Sequence, residues 1–119
     1  MKKRIEISGE ARKRLSSLVS AAERRFCGRG PQAVKIRVDD ELVVVTVDGF
    51  LTPLEETLLA CAENQGLVVL VRERYTQATV RFWREAFHEL LGLAVQEIRT
   101  EVDPARNQWK ILLKVTPNA

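Results

Sequence analysis

The sequence predicts a single α+β domain over residues 1–119 with the order α-β-β-α-α-β-β. Three observations carry this. Apolar residues recur at helical spacing from Ala11 to Phe26. Two pairs of alternating segments are each joined by a polar turn, and strong helix signals lie between the pairs. Two antiparallel hairpins with helices between them imply a four-stranded sheet with helices packed on one face.

The first helix spans about residues 8–27. Ser8 is suited to the N-cap, and Glu10 sits in the first turn, where the helix dipole favours an acid. Ala11, Leu15, Leu18, Val19, Ala22 and Phe26 form one apolar stripe. Gly28-Arg29-Gly30-Pro31 ends the helix, since Gly takes a left-handed cap and Pro31 blocks continuation. A hairpin follows over about 33–47. Val34, Ile36 and Val38 alternate with Lys35 and Arg37, Asp39-Asp40-Glu41 turns the chain, and Leu42–Val47 is apolar on both faces. Thr52-Pro53-Leu54-Glu55 is a capping box that opens a short helix over 53–63. Residues 67–91 then read as one long helix closed by Gly92.

That long helix has two apolar stripes. One holds Val68, Val71, Tyr75, Ala78, Phe82, Ala86 and Leu90; the other holds Val69, Val80, Trp83, Phe87 and Leu91. A helix on one sheet needs a single stripe. The second stripe, with Val69, Val80, Trp83 and Phe87, is therefore expected to form a homodimer interface, the alternative being cover by the first helix. A second hairpin over 93–115 completes the fold, with a less regular alternation in its first strand and a turn at Asp103–Asn107.

The charge is uneven. Residues 1–30 carry nine Lys/Arg against three acids, and the remaining residues ten against thirteen, so the excess of +3 belongs to the N-terminal helix and its closing loop. Arg12, Lys13, Arg24, Arg25 and Arg29 are the candidate contacts to an anion or a partner there. The bland alternative is a solvated basic face. Nucleic-acid or anionic-lipid binding through this basic helix is an alternative function, with nucleic acid not favoured because the aromatics fall at core spacings rather than among the basic residues. No apolar run is long enough to span a membrane, and the basic N-terminus lacks the apolar stretch of a secretory signal. Two cysteines then suit a reducing cytoplasm, with the protein soluble or peripheral to the membrane.

No catalytic constellation, metal-ligand spacing or cofactor motif is present. Cys61 lies in an apolar run and reads as a buried small hydrophobe. Cys27, beside Arg24, Arg25 and Arg29, is the better candidate for a reactive thiolate, although an inert helix-end cysteine is the simpler reading.

The order of Phe26-Cys27-Gly28-Arg29-Gly30-Pro31, a strand pair and Gly49-Phe50-Leu51-Thr52-Pro53-Leu54-Glu55 resembles the MpsC-like family of small bacterial proteins. Arg72 matches an arginine of that family's long helix, and Leu91-Gly92-Leu93 stands at its characteristic end. Val80-Arg81-Phe82-Trp83 is bulkier than the family pattern, and the last turn is short. The family is named for a sodium-translocating, membrane-potential-generating system. The resemblance implies an accessory or regulatory protein that works by protein contact, with a membrane-associated transport complex as a partner. It supplies no established active site. An anion sensor or enzyme near Arg29, Arg72 and Cys27 is the remaining alternative, and it requires those residues to converge.

Overall fold

The computed structural model describes residues 5–118. Its elements are α1 (Gly9–Cys27), β1 (Ala33–Asp39), β2 (Leu42–Asp48), α2 (Pro53–Leu59), α3 (Gln65–Ala78), α4 (Val80–Leu91), β3 (Leu93–Asp103) and β4 (Gln108–Pro117). Short 3-10 turns precede α3 and separate β3 from β4. The strands form one antiparallel sheet in the order β1-β2-β4-β3. The predicted fold class and order are those observed, with the second of the two central helices divided into α3 and α4.

Register explains which face is covered. The rows Val34–Val47–Trp109–Val102 and Val38–Val43–Leu113–Ile98 supply the core face. The alternate row Arg37–Val44–Leu112–Arg99 lies on the opposite face, where both arginines are exposed. Helices therefore cover one side of the sheet, as period-two alternation requires. β2 is apolar on both faces because it is an interior strand, and its outward Val44 is buried between neighbouring strands. The irregular alternation of β3 has a local cause. A bulge between Val95 and Glu97 inserts one residue and shifts the side chains that follow.

The long helix expected over 67–91 is two helices, broken at Thr79 (φ −109°, ψ 19°). The Thr79 hydroxyl donates to the Tyr75 carbonyl at 2.8 Å, and the Thr76 hydroxyl to the Arg72 carbonyl at 2.9 Å. Threonine hydroxyls that compete for helical carbonyls bend or end a helix. The break lets α4 turn to pack on β3 and on α1. Trp83 and Phe87 are consequently 2% and 0% exposed within the single chain. This corrects their assignment to a dimer interface: Trp83 and Phe87 are covered internally and Leu91 packs against the core, while Val69 and Val80 are half-buried outside it.

Cys61 also departs from expectation. α2 ends at Leu59, so Cys61 leaves the helical face and is exposed. On α1 the buried line is Leu15, Val19 and Glu23, while Leu18 and Phe26 of the expected stripe are exposed.

Gly49 links β2 to the segment that leads into α2. Its φ is +69°, its N–H donates to the Asn107 carbonyl at 2.8 Å, and a Cβ there would meet Gln32 Cγ at 2.5 Å. Gly49→Ala is expected to destabilise the fold by about 1–2 kcal/mol or more. Gly66→Ala, in open space within α3, should instead be neutral or stabilise by up to about 1 kcal/mol. Urea unfolding of the two variants checks the contrast.

Candidate functional site

The C-terminal turn of α1, the β2–α2 connection, α2 and α3 converge on one side chain, Arg72. Each approach follows from local sequence. Gly28 caps α1 (φ 83°) just after Cys27, placing Glu23 and Cys27 one turn apart on its inner side. The capping box opens α2: the Thr52 hydroxyl accepts from the Glu55 N–H, and Glu55 Oε1 accepts from the Thr52 N–H at 3.0 Å. The box that starts the helix thus turns the Glu55 carboxylate inward. Arg72 lies one turn beyond Val68 on the buried side of α3, and Thr76 follows one turn later.

All five guanidinium N–H groups of Arg72 have acceptors. Nε and Nη2 grip Glu55 through Oε2 at 2.9 Å and Oε1 at 2.7 Å. Nη2 also donates to the Phe50 carbonyl at 3.0 Å, and Nη1 donates to Glu23 Oε1 at 2.8 Å and to Cys27 Sγ at 3.6 Å. The Cys27 thiol in turn donates to Glu23 Oε2 at 3.0 Å. Three aromatic rings flank the guanidinium, with centroids at 4.9 Å (Phe50), 5.2 Å (Trp109) and 5.8 Å (Tyr75). Arg72, Glu23 and Glu55 are all at most 5% exposed.

The electrostatics follow from burial and pairing. Burial opposes the Glu55 charge, but hydrogen bonds from Arg72 and Thr52 outweigh it and hold the carboxyl below its ordinary range. Burial likewise opposes the Arg72 charge, and Glu55 and Glu23 overcome it and raise its pKa. Burial and the hydrogen bond to Glu23 push the Cys27 thiol up to about 12. Burial and the Glu23 charge raise Tyr75 as well. The three buried charges sum formally to −1.

Above this cluster is a cleft of about 290 Å³ lined by Phe26, Leu54 and Val71 at the rim and by Cys27, Thr52, Glu55, Arg72 and Tyr75 below. An apolar rim over a few convergent polar groups is the general form of a binding cleft. Cys27, Glu55, Arg72 and Tyr75, whose proton affinities burial and pairing displace, all line it, which marks it as the candidate site.

Several expected roles change here. Arg72 and Cys27 do meet in the cleft, whereas Arg29 turns away to Glu56 (2.9 Å) and the Leu51 carbonyl (3.3 Å). Arg72 is corrected from an anion contact to a structural hub, because it has no N–H left to offer. Cys27 follows the simpler reading of an inert helix-end cysteine: its thiol donates to Glu23, and burial and that hydrogen bond disfavour the thiolate. In native protein at pH 8, Cys61 should react with a disulfide reagent promptly. Cys27 should react on the order of a thousandfold more slowly than an ordinary thiol, appearing only on unfolding. Arg12, Lys13, Arg24 and Arg25 are exposed, but the two pairs lie about 18 Å apart along α1 and do not form one patch. No group of His, Cys, Asp or Glu suited to a metal occurs among the described residues.

Sequence reasoning missed Glu23 and the inward turn of Glu55. The signal for Glu23 was present: it occupies the position four residues after Val19, where the Leu15–Val19 line calls for an apolar side chain.

The fold and site together define a class: a small α+β protein in which helix ends clasp a buried Glu–Arg–Glu cluster beneath an apolar-rimmed cleft. Residues 8–116 match the MpsC family, described as a Na+-translocating membrane potential-generating system. The chain belongs to the MpsC family. It is 19% identical over 109 residues to the uncharacterized protein YbcI of Bacillus subtilis (strain 168), covering 90% of this chain and 86% of that one. No solved structure matches it. Among the described residues, no helix is long and apolar enough to cross a membrane.

Proposed function

We propose that this protein is a non-enzymatic accessory or regulatory component that acts by protein contact through the surface around the Arg72 cleft. The observation that carries this reading is the grouping of exposed apolar side chains. Of the six large hydrophobics exposed among the described residues, Phe26, Leu54 and Val71 rim the cleft, and Leu67 and Leu70 share the α3 surface that leads to it. Apolar patches of this kind on a small domain mark contact sites. The saturated Arg72 and the protonated Cys27 favour a scaffolding role for the cluster beneath. The family's description supports placing the contact in a membrane ion-translocating assembly.

Site-specific photo-crosslinking in cells tests the reading. A photoreactive residue at Leu54 or Val71 is expected to give a discrete protein adduct, and one at Arg37 on the open sheet face to give none. Failure of both cleft positions to capture any protein would overturn it.

A further inference from the structure

The break at Thr79 moves Trp83 and Phe87 into the core but leaves another helical surface uncovered. On α3, Leu67, Val71, Arg74 and Ala78 are all exposed, and their spacing is four, three and four residues. Such a spacing keeps one side of a helix in continuous line and is the repeat of a helix–helix seam. Leu70 flanks it, exposed as well. Within the chain, α3 makes its contacts from its other side, through Val68, Arg72 and Thr76.

We propose that this seam is the interface with a second copy of the chain, α3 packing antiparallel against α3 about a two-fold axis between Val71 and Arg74. The inference rests on the contact-protein reading above and names the partner at that same surface. Two observations select a second copy.

The first is area. Phe26, Leu54, Leu67, Leu70 and Val71 are 44–69% exposed. At ordinary side-chain areas they offer about 500 Å² of apolar surface, the apolar share of a standard interface taking roughly 800 Å² from each partner.

The second is self-complementary charge. With the axis at that point, Val71 of each copy faces Arg74 of the other, and Leu67 faces Ala78. Arg74 makes no ion pair among the described residues. Val71 lines the cleft whose floor holds Glu55 and Arg72, and Glu23 lies buried against the far side of that guanidinium, so the cluster beneath the cleft carries a formal excess of one negative charge. The antiparallel register brings the Arg74 guanidinium of one copy to the cleft mouth of the other, twice per dimer. The two-fold relation is isologous, so the contact closes at two copies.

Sedimentation velocity of the full chain at high micromolar concentration should show a dimer. Val71→Glu and Arg74→Glu should each weaken it about tenfold or more, with far-ultraviolet circular dichroism unchanged because both positions are exposed. In a Cys61→Ser background, a Val71→Cys chain mixed with an Arg74→Cys chain should form a mixed disulfide faster than either chain alone. A wild-type monomer at that concentration would overturn the inference. So would a dimer that survives both charge variants, or a monomer that sediments with phosphatidylglycerol–phosphatidylcholine vesicles, which would make the patch a lipid contact. A monomer that still gives a photo-adduct with a different protein at Leu54 would remove the second copy and leave the contact-protein reading standing.

Discussion

Replacing Arg72 with methionine is expected to cost about 3–5 kcal/mol, because it leaves two buried carboxylates without their cation. For a domain of this length the loss lowers the thermal midpoint by on the order of 10–20 °C. Methionine keeps most of the side-chain volume, so the effect is not one of cavity formation. Glu23, Glu55 and the Phe50 carbonyl all lose a donor, and burial denies them water in exchange. Arg72→Lys should rescue little, since an ammonium cannot reproduce the side-on grip on Glu55 while reaching Glu23 and Phe50. The diagnostic comparison is a triple variant, Arg72→Met with Glu23→Gln and Glu55→Gln. Removing the stranded charges should restore part of the lost stability, a non-additivity that calorimetry of the single and triple variants would read directly. If Arg72→Met unfolds with the wild-type midpoint, the cluster does not hold the four elements together.

Glu55→Gln is expected to be the next most damaging change, at about 2–3 kcal/mol. The amide keeps an oxygen for the capping box but turns an NH₂ group toward the donors of Arg72, breaking the two-point grip. Its pH dependence provides a second readout. The folded carboxyl lies below the ordinary value of 4.5, so on acidification the unfolded chain takes up this proton first. Stability contributed by Glu55 is therefore full above about pH 4.5 and is lost as pH falls through the lower folded value. Denaturation between neutral and acid pH should show a steeper loss for the wild type than for Glu55→Gln in that window. Glu23→Gln should cost less than Glu55→Gln. It retains an oxygen for Arg72 Nη1, the Cys27 sulfur can accept from the amide, and one carboxylate remains opposite one guanidinium.

Both predictions concern a cluster whose parts differ in how far the sequence disclosed them. Thr52-Pro53-Leu54-Glu55 is legible as a capping box because its geometry is set within four residues. The same local rule hides its second role, for nothing within that turn says that the Glu55 carboxylate also meets an arginine 17 positions later. Arg72 stood out only through its match to a family arginine. Its place on α3 is buried because α3 rotates its Val68–Arg72–Thr76 line inward, and that rotation depends on where the helix stops. The stop at Thr79 is a weak sequence signal: threonine ends a helix only when its hydroxyl competes successfully for a carbonyl, which is decided by what α4 packs against. Reading 67–91 as one rod put Trp83 and Phe87 outside, and the tertiary bend put them inside.

By itself the sequence determined the fold class, the order of elements, both hairpins and the ends of α1, because periodicity, caps and turn residues act over a few positions. The tertiary structure decided which charges are buried together, which helix surface is left over, and that Arg72 holds the helices rather than an anion. Those outcomes depend on the relative rotation of α1, α2 and α3. Rotation is fixed by packing between elements far apart in the chain, and no local rule encodes it.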